Sequence, residues 1–401
     1  MPTNWYERAY SNKILKSASA YPVLVLTGAR QTGKTTLLSK LFPNHNYVSL
    51  DIPSLAALAE KSPTEFLEKY PAPLIIDEVQ YAPDLFRHLK VAVDKDRHNM
   101  GQFVLTGSQK FTLMKEVSDS LAGRAAIFEL ETLSLKEIAL HQASPKSSKE
   151  WSSFLVRGGF PELWRNTDAE LDVFFGSYLS TYLERDVRQI LNVSSLRDFE
   201  RFMRVCAARN GQILEKSAIA AEVGVSSKAV NSWISVLEAS NQIVLLEPWF
   251  SNFGKRIIKS PKMYFNDSGL VCYLLGVSKE NIVQSPFVGA IWEGYCFGEI
   301  RKLSRTYSTP KSIWFYRDKQ QVEIDFLVTG GGQASLIECK WNENPDRRDA
   351  KHVEKIMAIA EEKRLPDFQR QSGFVLSRVE NDYPITDKIK AINLQSIQTI
   401  F

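Results

Sequence analysis

Residues 28–35 read Gly28-Ala-Arg-Gln-Thr-Gly33-Lys34-Thr35, a match to the pattern GxxxxGK(S/T). No other stretch of this chain restricts its fold as tightly. The motif follows an apolar run, Val23 to Leu26, and precedes helical spacing at Leu37, Leu38 and Leu41. It is therefore expected to join a buried parallel strand to a helix. Glycines let the backbone curl so that successive N–H groups converge on one concavity, and the helix N-terminus adds partial positive charge. Such a concavity suits the phosphates of a nucleotide. The candidate binding residues are Gly28, Ala29, Arg30, Gln31, Thr32, Gly33, Lys34, Thr35 and Thr36. Lys34 would reach the β- and γ-phosphates and the Thr35 hydroxyl would ligate Mg²⁺, so ATP and Mg²⁺ are the expected cofactors.

The surrounding pattern supports that reading. Further strand candidates are Tyr47 to Asp51, Leu74 to Asp77, Gln102 to Thr106 and Ala126 to Leu130, with an amphipathic helix around Leu85, Leu89 and Val93. Strands alternating with helices argue for a parallel α/β sheet. Leu74-Ile-Ile-Asp77-Glu78 supplies two carboxylates at a strand end. Asp77 would stand beside the magnesium ion, and Glu78 would polarise a water for in-line attack. The Asp-Glu form favours hydrolysis over a kinase reaction. Ser108, closing the fourth strand before Gln109, is the candidate γ-phosphate sensor, with helix capping as its plainer role. Arg124 is the candidate arginine finger, acting in its own site or a neighbour's, against the plainer reading of an ordinary loop arginine.

Composition narrows the function classes. A chain of 401 residues suggests two or three domains, and 44% hydrophobic with 24% charged residues excludes wholesale disorder. A formal net charge of +4 is too small to imply polyanion binding by itself, so that argument rests on local patches. Cys206, Cys272, Cys296 and Cys339 form no CxxC pair, and the five histidines show no metal-ligand spacing. No apolar run is long enough to cross a bilayer, and Met1 to Lys16 lacks a signal-peptide core. The expectation is a soluble cytoplasmic protein without a membrane partner.

Beyond residue 140 the pattern changes. His141 to Glu150 reads as a loop or linker. Leu171 to Leu191 carries a broad apolar helical face that also contains Arg185 and Asp186. Arg185 is a second candidate finger, with an ion pair as the alternative. Phe199 to Trp249 has winged-helix spacing: a helix at Ile219 to Val223, a tight turn at Gly224 to Ser226, and a candidate recognition helix from Ser227 to Ala239. Ser227, Lys228, Asn231 and Ser232 would face a groove while Val230, Ile234 and Leu237 pack inward. Lys255, Arg256, Lys259 and Lys262, beside Trp249, Phe250 and Phe253, offer basic and aromatic material for a DNA backbone. Packing against another domain is the alternative use of such a module.

In the last third, Val322 to Val328 alternates like a strand, Gly330 to Gly332 turns, and Ser335 to Lys340 forms another strand. Asp325 with Glu338-x-Lys340 resembles the PD-(D/E)XK nuclease core, and Glu293 on an upstream helix completes the acidic set. Glu338 and Lys340 share one face of their strand. Glu293, Asp325 and Glu338 form a candidate second Mg²⁺ site, with Lys340 orienting water.

Thr27 to Thr36, Ser49-Leu-Asp51, Ile76-Asp-Glu-Val-Gln80, Leu105-Thr-Gly-Ser108 and Ser120-Leu-Ala-Gly-Arg124 together resemble a large prokaryotic family of AAA-type ATPases. Its members carry a C-terminal domain of unknown function. The resemblance continues through Gly158-Gly-Phe-Pro161, Tyr182-Leu-Glu-Arg-Asp186 and Tyr264 to Leu270, covering nearly the whole chain. The expected fold is α/β: a parallel-sheet, AAA-type P-loop NTPase domain at 1–140 and a helical lid or linker at 141–195. A winged helix at 196–260 and a restriction-endonuclease-like α/β domain at 261–401 follow. The expected function is an ATPase that binds and remodels DNA, branched or junction DNA included. The alternatives are a signalling or defence ATPase acting on a protein partner and an ATP-regulated nuclease. The resemblance also implies a homo-oligomer, such as a hexameric ring.

Overall fold

The five apolar runs of the first third become one parallel sheet. The structure, a computed structural model, describes residues 5–108, 113, 116–117, 119–188, 196–249, 260–307 and 311–401, with the backbone alone at Asp186. Its contacts divide into two units, Met1–Leu133 with Ala239–Gln242, and Ser134–Glu238 with Ile243–Phe401.

In the first unit the strands are β1 (Val23–Thr27), β2 (Asn46–Ser49), β3 (Leu74–Asp77), β4 (Phe103–Gly107) and β5 (Ala125–Glu129), in the order β2-β3-β4-β1-β5. All pairs are parallel, with Val23 and Leu74 both in register with Phe103. β1, β3 and β4 are buried at every position because helices cover both faces. Val23, Val25, Leu74, Ile76, Phe103 and Leu105 pack with Leu85, Phe86, Leu89 and Val93 of helix Leu85–Lys95. The alternate residues Leu24, Leu26, Ile75 and Val104 pack with Leu37 and Leu38 of helix Lys34–Leu41 and with Ile14. Period two in the strands thus feeds two separate cores. Each fully buried Leu, Ile, Val or Phe contributes about 1.5–3 kcal/mol. β4 lies between β1 and β3, so the turns after these three strands open at the same sheet edge.

The second unit contains everything from Ser134 onward except the short piece assigned to the first. Contacts do not separate 141–195, 196–260 and 261–401 into distinct bodies. The stretch expected to be a loop at 141–150 yields partly to helix Ser148–Arg157. Ser147 caps that helix and Glu150 returns the bond to the Ser147 backbone, a capping box overlooked in a polar stretch. Helix Leu171–Tyr182 runs into a π-type turn, Leu183–Val187. Helices Leu196–Ala208, Lys216–Val223 and Ser227–Ala239 accompany a three-stranded antiparallel sheet. Its strands are β6 (Gln212–Ile213), β7 (Ile243–Leu246) and β8 (Lys262–Phe265), ordered β6-β8-β7.

After helices Ser268–Leu275 and Val288–Ser304 comes a six-stranded mixed sheet. Its strands are β9 (Ser312–Arg317), β10 (Glu323–Gly330), β11 (Gln333–Cys339), β12 (Arg370–Ser377), β13 (Tyr383–Pro384) and β14 (Ile389–Asn393), ordered β13-β14-β12-β11-β10-β9. Gly331 and Gly332 take φ of 63° and 73° in the β10–β11 hairpin, where left-handed backbone suits a tight two-residue turn.

Two of the blocks that carry the family resemblance meet here. The Asp267 carboxylate caps helix Ser268–Leu275 through the Leu270 N–H and also accepts from the Gly159 N–H at 2.8 Å. A methyl on Gly158 would stand 2.2 Å from Asp267 Oδ1. These residues knit the scaffold. Among the described residues no helix is long and apolar enough to cross a membrane.

Candidate nucleotide site

The turn after β1 is held open by backbone that side chains would obstruct. Gly28 has φ of 148°, and an alanine methyl there would lie 2.2 Å from the Leu130 carbonyl oxygen. Gly33, at φ 88°, precedes helix Lys34–Leu41. Lys34 is buried, and its Nζ donates to the carbonyls of Gly28 (3.0 Å) and Ala29 (2.9 Å), laying the ammonium along the inside of the loop. The Thr32 hydroxyl donates to Ala29 O. Arg30 is half-buried, while Gln31, with φ of 60°, and Thr36 are exposed.

Arg8, which sequence reasoning missed, braces this loop from outside the motif. It is buried, with Nη1 donating to Thr32 O at 2.9 Å and Nη2 to Glu131 O at 2.6 Å and Thr132 O at 3.4 Å.

Asp77 Oδ2 receives the Thr35 hydroxyl at 2.9 Å and the Tyr47 hydroxyl at 2.8 Å. Burial pushes the Asp77 carboxyl above its ordinary value, and these two donors pull against that rise. Burial, followed by the bond to Asp77, raises the Tyr47 phenol. The Tyr47 contact was missed too, although Tyr47 opened a strand candidate.

Glu78 follows with φ of 53°, a left-handed position uncommon for a non-glycine residue. Its Oε2 collects donors from the Gln80 amide (2.5 Å), the Ser108 N–H (3.2 Å) and the Ser108 hydroxyl (3.3 Å). Gln80 is itself pressed against Gly107, where a methyl would meet its Oε1 at 2.2 Å. Thus Ser108 follows directly on the end of β4 and touches the Glu78 carboxylate. The residues fit a Mg²⁺–nucleotide: a backbone cradle that a Cβ would fill, a buried lysine, and a hydroxyl–carboxylate pair of hard oxygen donors.

Arg124 is elsewhere. Its carbonyl accepts the Val23 N–H at the start of β1, and its guanidinium pairs with Asp94 at 2.7 and 2.9 Å. β1 is five residues long, and its whole length, roughly 16 Å, separates this end from the P-loop. A finger acting in its own site is therefore corrected: the parallel strands carry Arg124 to the opposite edge. Arg185 lies in the second unit on the π-type turn. Gln109, Ile190, Leu191, Phe250, Phe253, Lys255, Arg256 and Lys259 lie outside the described residues, as does the Asp186 side chain.

The acidic set of the last third forms a different arrangement from the one expected. A bulge in β10, between Ile324 and Leu327, carries Asp325, whose Oδ2 accepts the Cys339 N–H at 2.8 Å. Glu338 Oε1 pairs with Lys340 at 2.8 Å. Lys262, proposed from sequence as a DNA contact, is instead only 2% exposed. Its Nζ lies 3.0 Å from Glu293, 2.6 Å from Glu323 and 3.6 Å from Asp325. The Tyr264 hydroxyl also donates to Glu293. Burial, then the neighbouring Asp325, pushes Glu293 up to about 7 and Glu338 up to about 8. Among the described residues no group of three or more His, Cys, Asp or Glu is arranged for a metal ion. The second Mg²⁺ site expected at Glu293, Asp325 and Glu338 is corrected on that geometry: the Lys262 ammonium stands against Glu293 and Asp325, while Glu338 pairs with Lys340. Trp249, also expected at a DNA surface, is buried against Phe368.

A parallel sheet ordered β2-β3-β4-β1-β5, with a Gly-Lys-Thr turn bonded to an Asp-Glu strand end, defines a P-loop ATPase domain. Comparison with known proteins agrees. Residues 20–139 match the family model of an AAA domain, residues 148–281 a domain of unknown function (DUF8612), and residues 288–397 another (DUF4143). The chain thus carries an AAA-type P-loop ATPase domain and a DUF4143 C-terminal domain. An uncharacterized protein of Mycobacterium tuberculosis is 28% identical over 383 residues, spanning 94% of this chain and 81% of the relative. One from Methanocaldococcus jannaschii is 23% identical, spanning 84% and 78%. Among solved structures, a Walker-type ATPase of Pyrococcus abyssi aligns with TM-score 0.46 and 16% identity over 67% of this chain and 96% of its own. The Aeropyrum pernix Orc1 protein in complex with DNA aligns with TM-score 0.29 and 14% identity over 72% and 96%.

Proposed function

We infer that the first unit hydrolyses ATP with Mg²⁺, and that the second unit engages DNA under control of that cycle. The observation carrying the hydrolysis reading is the Glu78 carboxylate, held by Ser108 and Gln80 one residue beyond the Thr35–Asp77 pair. Gly28 to Thr36 would bind the triphosphate through main-chain N–H groups, with Lys34 swinging from its carbonyl partners to the phosphates. Thr35 and Asp77 would hold Mg²⁺, which supplies charge neutralisation between the β- and γ-phosphates. Glu78 would accept a proton from the attacking water.

Support for DNA comes from the order of elements between Leu196 and Phe265, which we read as a winged helix. Ser227, Lys228, Asn231 and Ser232 are exposed on helix Ser227–Ala239, while Val230, Ile234 and Leu237 are buried. Gly224, at φ 83°, makes the turn between the two helices. We likewise read helix Val288–Ser304 with β9 to β12 as a restriction-endonuclease-like core used for binding.

The test measures ATP turnover by the full chain with single-stranded, duplex and branched DNA across a salt series. Stimulation that fades steeply with salt is expected. Glu78→Gln should retain nucleotide affinity and lose turnover by about 10²–10⁴-fold, whereas Lys34→Ala should weaken binding itself. Turnover indifferent to every DNA, together with ATP-dependent capture of a protein, would replace DNA by a protein partner.

A further inference from the structure

The Glu293–Glu323–Asp325 cluster draws its members from separate segments. Glu293 comes from helix Val288–Ser304, Glu323 and Asp325 from the bulged strand β10, and the ammonium between them from β8 of the three-stranded sheet. Lys262 Nζ is within 3.6 Å of all three carboxylates, at 3.0, 2.6 and 3.6 Å, and the Phe315 ring lies 5.7 Å away. The lysine is buried, so its charge has no water to fall back on. Glu293 is also tied down by Tyr264, two residues along the same strand from Lys262, and Glu323 by Arg317 at 3.3 Å.

A divalent ion bound by these oxygens would need them at about 2.0–2.6 Å from itself. It would then stand within van der Waals distance of a buried ammonium, and the two cations would repel in a weakly screened setting. One positive charge, already covalently attached, satisfies the position. The cluster also fastens β8 to the helix and strand that face it, so expelling Lys262 would break that junction.

We propose that Lys262 is the resident cation of this pocket. It holds the place between Glu293, Glu323 and Asp325 that a divalent metal would need; with Glu293 and Asp325 so engaged and Glu338 paired with Lys340, the acidic set is left metal-free and non-cleaving. The pocket therefore serves as an ion-pair lock between the β6-β8-β7 sheet and the six-stranded sheet. This inference is independent of ATP hydrolysis in the first unit.

The test titrates nucleotide-free full-length protein with Mn²⁺, read by electron paramagnetic resonance. Circular dichroism checks the fold of every variant. Wild type and Asp325→Asn should bind the same number of ions, and supercoiled plasmid should stay uncut by both in Mg²⁺ or Mn²⁺. Lys262→Met should gain one Mn²⁺ site, which the double variant Lys262→Met/Asp325→Asn loses again. Lys262→Gln provides a second route to the same gain. A wild-type Mn²⁺ site or plasmid cleavage that Asp325→Asn abolishes would overturn the proposal. So would folded Lys262→Met or Lys262→Gln protein that takes up no extra ion. If neither lysine variant folds, the wild-type and Asp325→Asn comparison decides alone.

Discussion

Replacing Arg8 by methionine keeps most of the side chain's apolar length and removes every donor. In the native protein Arg8 holds the Thr32 carbonyl at 2.9 Å and the Glu131 carbonyl at 2.6 Å, with a longer contact to Thr132. Hydrogen bonds involving a charged group contribute about 1.5–3 kcal/mol each, so the two short bonds together bound the loss at about 3–6 kcal/mol. Methionine's own burial offsets part of this, leaving about 3 kcal/mol. For a unit of this size that is a fall in Tm of about 10 °C. If a third of the loss falls on the Thr32 anchor, nucleotide affinity weakens about fivefold. Differential scanning fluorimetry without nucleotide reads the first quantity, and calorimetric titration with ATP and Mg²⁺ reads the second. Arg8→Lys should fall between, since an ammonium keeps the charge but cannot span the same carbonyls as a planar fork. A methionine variant with Tm within about 2 °C of wild type and unchanged affinity would refute the bracing role.

Three further outcomes follow from the geometry. Ser108→Ala removes the hydroxyl donor to Glu78 and leaves the main-chain donor; kcat should drop about tenfold, and an equal loss in ATP affinity would contradict this. Arg124→Ala should leave turnover per chain unchanged in dilute solution, because Arg124 is paired with Asp94 at the far strand ends; a loss there would restore an own-site finger. Glu293 and Glu338 are raised from 4.5 to about 7 and about 8, so the folded state keeps protons that the unfolded chain releases. Their contribution is complete below about pH 4.5 and lost as pH rises through 7 to 8, with a slope up to about 1.4 kcal/mol per pH unit per proton. Thermal midpoints should fall between about pH 5 and 8 and level off above, less so in Glu338→Gln; a flat profile across that range in wild type would refute the assignment.

What could be read in advance was whatever is written locally. β1, β3 and β4 were each within a residue of their expected bounds, because a strand buried on both faces is a continuous apolar run. The P-loop and the Asp77–Glu78 strand end were legible because phosphate cradles need glycine at fixed spacing and hard oxygen donors at a strand end. The hairpin at Gly331 and Gly332 announced itself by its turn chemistry. The loop expected at 141–150 failed in part because polar capping residues look like linker residues until their reciprocal bonds are seen.

The amino-acid sequence by itself therefore determined the nucleotide-binding sheet and the residues that line its phosphate turn, since both arise from short-range backbone requirements. Only the tertiary structure decided which distant side chains complete or cancel a site. Arg8 reaches a loop 24 residues away, Ser108 meets Glu78 across 30 residues, and Lys262 enters a carboxylate cluster spread from Glu293 to Asp325. The physical reason is that a buried charge is placed by the summed field and packing of segments remote in the chain, and such contacts leave no periodic trace along it.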